Sequence, residues 1–244
     1  RELARLGDRF IAEGEYIVRR LLASGYPCES IVVVERLADE IAKVARPGVE
    51  ILVTDAALLR QIIGFKFHSG VLAVGRRKLE LSLDDVPGLK CARSTLVICP
   101  ELISAQNIGS LIRTSAALGV DAMLLGEKCC DPFWRQSIRI SMGAVFSLPI
   151  VRSRNLHHDL HTLRDRGFEL IATVLDENAE PLDTARRSDR LALLFGNESR
   201  GLDPNVIEKC DRRVTISMRA GIDSLNVSIA AGIFLHHFTR PQGK

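Results

Sequence analysis

Apolar residues follow two different periods along this chain. Runs at 31–34, 50–53 and 70–74 are β-branched and short, and they read as strands. Segments 13–23, 37–45 and 55–63 space their apolar residues three and four apart, as helices do. In the first of these, Ile17, Val18, Leu21 and Leu22 share a face, and Asp55 is placed to cap the third. Residues 1–78 are therefore expected to form a small α/β sandwich. The pattern then lapses. Gly75-Arg-Arg-Lys78 is basic, and 79–93 mixes charges around Pro87-Gly88, which predicts a linker with one short helix or turn.

From residue 94 the alternation resumes. Strands are predicted at 95–99, 122–125, 147–151, 169–174, 191–195 and 213–216. Helices are predicted at 107–118, 132–143, 157–166, 204–210 and 226–238. The run Leu191-Ala-Leu-Leu-Phe195 shows no polar alternation, so it should be buried on both faces, as in a parallel sheet. The fold class is α/β in both parts.

Three polar loops each follow a strand, where α/β proteins build ligand sites. In the first, Asn107 is placed to cap a helix with Ile108, Leu111, Ile112 and Ser115 on its inner face, while Gly109 and Arg113 fall on another. Arg113 is either a fixed cation beside a ligand or a solvated surface arginine. In the second, Gly196 and Gly201 bracket Asn197-Glu198-Ser-Arg200, and Gly196 leaves room for close backbone approach. The spacing is neither GxGxxG nor a Walker loop. In the third, Ile216 ends a strand, Ser224 and Asn226 stand at a helix start, and Leu225 between them offers an apolar wall.

Together these loops resemble the three signature motifs of the SpoU (TrmH) branch of the SPOUT RNA methyltransferases. Asn107-x-Gly109-x-x-x-Arg113-Thr114 is similar to the first, Phe195-Gly196-Asn197-Glu198-x-x-Gly201-Leu202 to the second, and Ile216-x-Met218 with Ser224-Leu225-Asn226-Val227-Ser228 to the third. The order and spacing are also the family's, over about residues 94–240, and residues 1–78 look like the RNA-binding domain that many members carry in front.

The resemblance implies a parallel sheet with a C-terminal trefoil knot. It also implies a homodimer with a shared active site, and transfer of methyl from S-adenosylmethionine to a ribose 2′-OH in rRNA or tRNA. It assigns Gly196, Asn197, Ile216, Met218 and Leu225 to the cofactor, and Arg113, Asn107, Glu198, Ser224 and Asn226 to catalysis. Arg113 would clamp a phosphate and stabilise developing alkoxide charge. Glu198 would be a base, a positioning group, or a salt-bridge partner of Arg200 or Arg113. A non-catalytic RNA-binding protein of the same fold is the alternative, and a small-molecule α/β enzyme a third reading.

Composition adds little against this. Apolar residues make up 46% and charged residues 26%, and the net charge is +3, ordinary for a globular protein. Of 33 basic residues, 26 are Arg, which suits phosphate contacts but also follows from a GC-rich genome. The six cysteines form no CxxC pair, so a zinc site is not expected and a reducing, cytoplasmic setting is. No apolar run has the length of a membrane span, and no leader pattern opens the sequence. His157 and His161 are four apart on a predicted helix but lack a third ligand, so no metal is expected; His236 and His237 close the last helix. Phe133 and Trp134, beside Arg135 and Arg139, suit RNA stacking, core packing or a dimer contact.

Overall fold

A computed structural model describes residues 7–63, 70–219 and 224–239. The chain divides into two compact units, residues 1–79 with 131–147, and residues 80–130 with 148–244.

The first unit runs β1 (Arg9–Glu13), α1 (Glu15–Ala23), β2 (Cys28–Val34), α2 (Glu35–Val44), β3 (Glu50–Thr54), α3 (Ala56–Ile63) and β4 (Val71–Arg76). The sheet order is β1-β4-β2-β3, with β2/β3 parallel and the other pairs antiparallel. Ile17, Val18, Leu21 and Leu22 of α1 are buried as the periodicity required. Asp55 caps α3, its Oδ1 accepting the N–H groups of Ala57 and Leu58 at 2.7 and 2.8 Å. Strand β1 is not among the predicted elements. It is short, carries Arg9 and Glu13 at its ends, and finds its partner β4 some sixty positions away. Gly14, at φ 101°, lets the chain turn from strand into helix in one residue, so 13–23 is not one helix.

The second unit contains β5 (Ser94–Cys99), α4 (Ala105–Ala117) and β6 (Ala122–Leu125). The chain then leaves it through α5 (Arg135–Ile140), described below. It continues with β7 (Ile150–Arg152), α6 (Leu156–Asp165), β8 (Glu169–Thr173), β9 (Glu180–Pro181), β10 (Arg190–Leu194), α7 (Pro204–Ile207), β11 (Arg212–Thr215) and α8 (Val227–Thr239). The sheet order is β7-β6-β5-β10-β8-β11-β9, and every pair is parallel. Strand β10 lies between β5 and β8, and Leu191, Ala192, Leu193 and Leu194 are fully buried, which explains its lack of polar alternation. Residues 80–93 are no free linker. They form two 3₁₀ turns whose Leu83, Val86 and Leu89 belong to the same buried cluster as Leu96 and Ile98 of β5.

Segment 131–147 packs with the first unit, although its pattern continues that of the second. Phe133 and Phe146 lie 5.2 and 5.4 Å from the Phe10 ring, centroid to centroid. Arg135 donates to Glu13 Oε2 at 2.7 Å, and Glu13 is buried, so the pair is neutralised inside the packing. Arg77 forms an ion pair with Asp131. Phe133 is thus a packing residue, while Trp134 is exposed. Helix α5 is shorter than the predicted 132–143, because Asp131 Oδ1 accepts Phe133 N–H in a turn before it, and Met142, at φ 52°, lies beyond its end. Strand β7 likewise starts later than 147, because Pro149 has no N–H to give a neighbour.

The end of α8 is tied to the start of β5 by Arg187. Its guanidinium donates to Thr95 Oγ1 at 2.9 Å, Phe238 O at 3.0 Å and Ser94 O at 3.2 Å. Methionine at this position keeps the stem and removes the donors, leaving three acceptors short of a partner. Arg187→Met should cost about 2 kcal/mol and lower the thermal midpoint by roughly 4–8 °C. An unchanged midpoint in a calorimetric scan would remove the clamp role. Among the described residues no helix is long and apolar enough to cross a membrane.

Candidate active site

The three polar loops meet in the second unit. Ser104, not Asn107, is the N-cap of α4: its Oγ accepts Asn107 N–H at 3.3 Å. Asn107 lies inside the helix, buried, and its side chain is free for other contacts. Its Nδ2 donates to Glu198 Oε1 at 3.0 Å, and its Oδ1 accepts from Asn226 Nδ2 at 3.0 Å. Glu198 Oε1 also accepts Ser104 N–H at 3.2 Å. Asn226 Oδ1 accepts the N–H of Ser228 at 2.9 Å and its hydroxyl at 2.6 Å, capping α8. One hydrogen-bonded line therefore joins all three loops, Glu198 to Asn107 to Asn226, across 91 and 119 positions of sequence.

The predicted salt bridges of Glu198 are absent among the described residues. Arg200 pairs with Glu101 instead. Glu101 Oε1 also lies 3.4 Å from Asn197 Nδ2, and Asn197 Oδ1 accepts the N–H groups of Ser199 and Arg200 at 3.0 and 3.3 Å. The turn 196–202 is closed by Asn197 and Gly201, which exchange backbone hydrogen bonds at 2.8 and 2.9 Å. Glu101 and Ser104 were not among the predicted site residues. For Ser104 a signal existed, a serine three positions before Asn107 at the head of the helix; for Glu101 there was none.

Beside this network is a cavity of about 570 Å³, within the usual range of ligand sites. Gly196, Asn197, Ile216, Met218 and Leu225 all line it, as do Glu198 and Ser224. Val174 and Phe234, neither of them an expected site residue, add to its apolar wall. Asn107 and Asn226 hold the rim without lining the cavity. Arg113 is exposed on α4, two turns beyond Asn107, and also does not line it. No hydrogen bond or ion pair holds its guanidinium among the described residues. Residues 220–223 of the third loop lie outside the described residues.

Other candidates resolve simply. His161 Nδ1 is 2.9 Å from Asp165 Oδ2 on an exposed face, and His237 Nε2 is 2.7 Å from Ala185 O. Among the described residues no group of His, Cys, Asp or Glu is arranged to hold a metal. All six cysteines are free, and Cys99 is buried at the end of β5. Burial pushes the Cys129 thiol up to about 11 and the Cys210 thiol to about 12, so neither is a nucleophile near neutral pH.

The chain is similar to known proteins over most of its length. An uncharacterized tRNA/rRNA methyltransferase of Mycobacterium bovis is 36% identical over 94% of this chain and 80% of its own length. A 23S rRNA guanosine 2′-O-methyltransferase of Bacillus subtilis is 29% identical over 94% and 88%. Among solved structures, an AdoMet-bound rRNA methyltransferase from Sinorhizobium meliloti superposes with a TM-score of 0.83 at 27% identity, covering 95% of this chain and 87% of that one. The SpoU methyltransferase AviRb from Streptomyces viridochromogenes gives 0.83 at 25%, covering 98% and 91%. The sequence model of the SpoU rRNA Methylase family matches residues 94–236, the stretch that holds all three loops, and the chain belongs to that family.

Proposed function

We propose that this protein transfers a methyl group from S-adenosylmethionine to a ribose 2′-OH of rRNA or tRNA. The observation that carries this is the Glu198–Asn107–Asn226 line running along the rim of the 570 Å³ cavity. The cavity suits the cofactor in its donor set. Ile216, Met218, Leu225 and Phe234 offer apolar surface to an adenosyl group, and Asp176, Asn197 and Ser224 offer polar atoms. When bound, the cofactor supplies a methyl group on an already activated sulfonium, so the residues must position and desolvate rather than activate a leaving group. The trefoil knot that the family resemblance implies would shape this cavity from β11, the third loop and α8.

Glu198 has one oxygen committed to Ser104 and Asn107, and no described donor on the other. That second oxygen is free to accept a hydrogen bond from the ribose. Arg113 keeps its charge at any relevant pH, so its part is to stabilise alkoxide charge and hold a phosphate, not to remove a proton.

Its free guanidinium is explained if the protein works as a homodimer in which Arg113 acts at the partner subunit's cavity. The exposed Ile229 and Ile233 of α8, the helix that packs on α4, support a subunit contact there. Residues 1–78 would bind the RNA, and free thiols suit a cytoplasmic enzyme.

The test is to incubate the protein with tritiated S-adenosylmethionine and unmodified rRNA and tRNA, then map ribose methylation by alkaline resistance. Label at one or a few alkali-resistant linkages is expected. Label on base or protein alone would sink the reading.

A further inference from the structure

A second cavity lies against the same turn as the cofactor cavity. It measures about 970 Å³ and is lined by Asn197, Arg200, Gly201 and Leu202, which also line the first. Its other walls come from Pro100 and Glu101 after β5, Glu127 and Lys128 after β6, and the start of α6. Strands β6, β5 and β10 are consecutive in the sheet and parallel. The cavity thus stands at their carboxyl ends. It also stands where the strand order turns, because β5 continues outward to β6 on one side and neighbours the later β10 on the other. Doubly wound sheets bind ligands at that point.

Its chemistry is two-sided. The floor is apolar, with Leu156, Leu202 and Val206. Lys128 and Arg200 have side chains 79% and 73% exposed, and both face Glu101, Lys128 Nζ at 4.0 Å. Lys209 and His157 are further basic groups. Four carboxylates, Glu101, Glu127, Asp203 and Glu208, line it with these bases, and two of them are half-committed. Glu127 Oε1 accepts Leu156 N–H at 3.0 Å, and Asp203 Oδ1 accepts Asn205 N–H and Nδ2, each at 2.9 Å. Their second oxygens have no described donor. A site with exposed cations, free carboxylate oxygens and an apolar floor matches the three parts of a nucleotide: phosphate, base-edge N–H groups and base face.

We propose that this cavity holds a nucleotide of the RNA strand next to the one being methylated, with Lys128 and Lys209 on its phosphates. The inference rests on the function proposed above. The two cavities share one turn, and Glu198 on that turn is the residue proposed above to meet the ribose. A strand with its target ribose at Glu198 therefore brings a neighbouring nucleotide to the cavity on the turn's other side.

The experiment compares wild type, the Lys128→Ala/Lys209→Ala double variant and Lys90→Ala. Lys90 is an exposed lysine that precedes β5, at the opposite end of the sheet. Binding of a fluorescein-labelled 20-nucleotide single-stranded RNA is followed by anisotropy at several salt concentrations, and S-adenosylmethionine binding by calorimetry. The double variant should bind the RNA about tenfold more weakly, and its salt slope should fall by about 1.4, for two lost phosphate contacts. Its cofactor affinity should stay at the wild-type value, and Lys90→Ala should behave as wild type throughout. Equal RNA affinity and slope in wild type and double variant overturn the inference and leave the proposed function standing. A wild-type protein that binds neither the RNA nor the cofactor overturns the proposed function itself.

Discussion

Arg113→Ala should reduce methyl transfer by two to three orders of magnitude, the loss typical when one group that stabilises transition-state charge is removed. Its folding and its cofactor affinity should barely change. The structural ground is that Arg113 is exposed, unpaired among the described residues, and outside the cavity proposed for the cofactor. A side chain with no partner in its own subunit contributes little to stability. Single-turnover rates with RNA in excess, beside calorimetry with S-adenosylmethionine, separate the two effects. Arg113→Lys should recover only part of the loss, since an ammonium cannot make two parallel contacts to a phosphate. Wild-type turnover in Arg113→Ala would move the catalytic role elsewhere, with Glu198 next in line. If the active site is shared, mixing Arg113→Ala with an inactive Asn226→Ala protein should restore activity. Heterodimers would then carry one intact site.

The sequence made some of this legible and hid the rest for physical reasons. Strand β10 could be read because burial on both faces leaves a local trace, five apolar residues in a row. Gly196 and Ile216 could be placed at one cavity because each stands just after a strand of a parallel sheet, and Leu225 because it stands at the head of the helix that follows the last strand. Asn107 was legible as a polar residue of the first loop but not in its structural role. Ser104 and Asn107 are both good caps by residue type, and only the position of Glu198 shows that Asn107 faces inward. The Glu101–Arg200 pair spans 99 positions and has no local signature. The same holds for β1, and for segment 131–147, whose local pattern is that of an ordinary α/β excursion. Its association with the first unit depends on Phe10, Glu13 and Arg77, contacts that no window of sequence contains.

Gly196→Ala should destroy the proposed cofactor site and weaken the whole second unit. An added Cβ would meet Gly201 C at 2.2 Å, Leu202 N at 2.4 Å and Gly201 O at 2.6 Å. These are backbone atoms in a turn closed by its own hydrogen bonds, so no side-chain rotation relieves the contact. The turn must open, and opening it displaces Asn197 from Glu101 and Glu198 from Asn107. Overpacking of this kind costs about 3 kcal/mol, a fall of roughly 6–12 °C in thermal midpoint. Because Gly196 and Leu225 line the same cavity, cofactor affinity should drop by about a hundredfold or more, beyond what a site with one lost contact would show. Gly201→Ala is the comparison that identifies the cause. Gly201 has φ 69° and no atom within 4 Å of an added Cβ, so alanine there meets strain and no collision. That strain is about 1–2 kcal/mol, and the turn can keep its shape. Gly201→Ala should therefore retain most cofactor affinity with a midpoint lowered by a few degrees. Equal losses of affinity in the two variants would mean that backbone freedom, rather than the close approach of the two sides of the turn, is what the glycines provide.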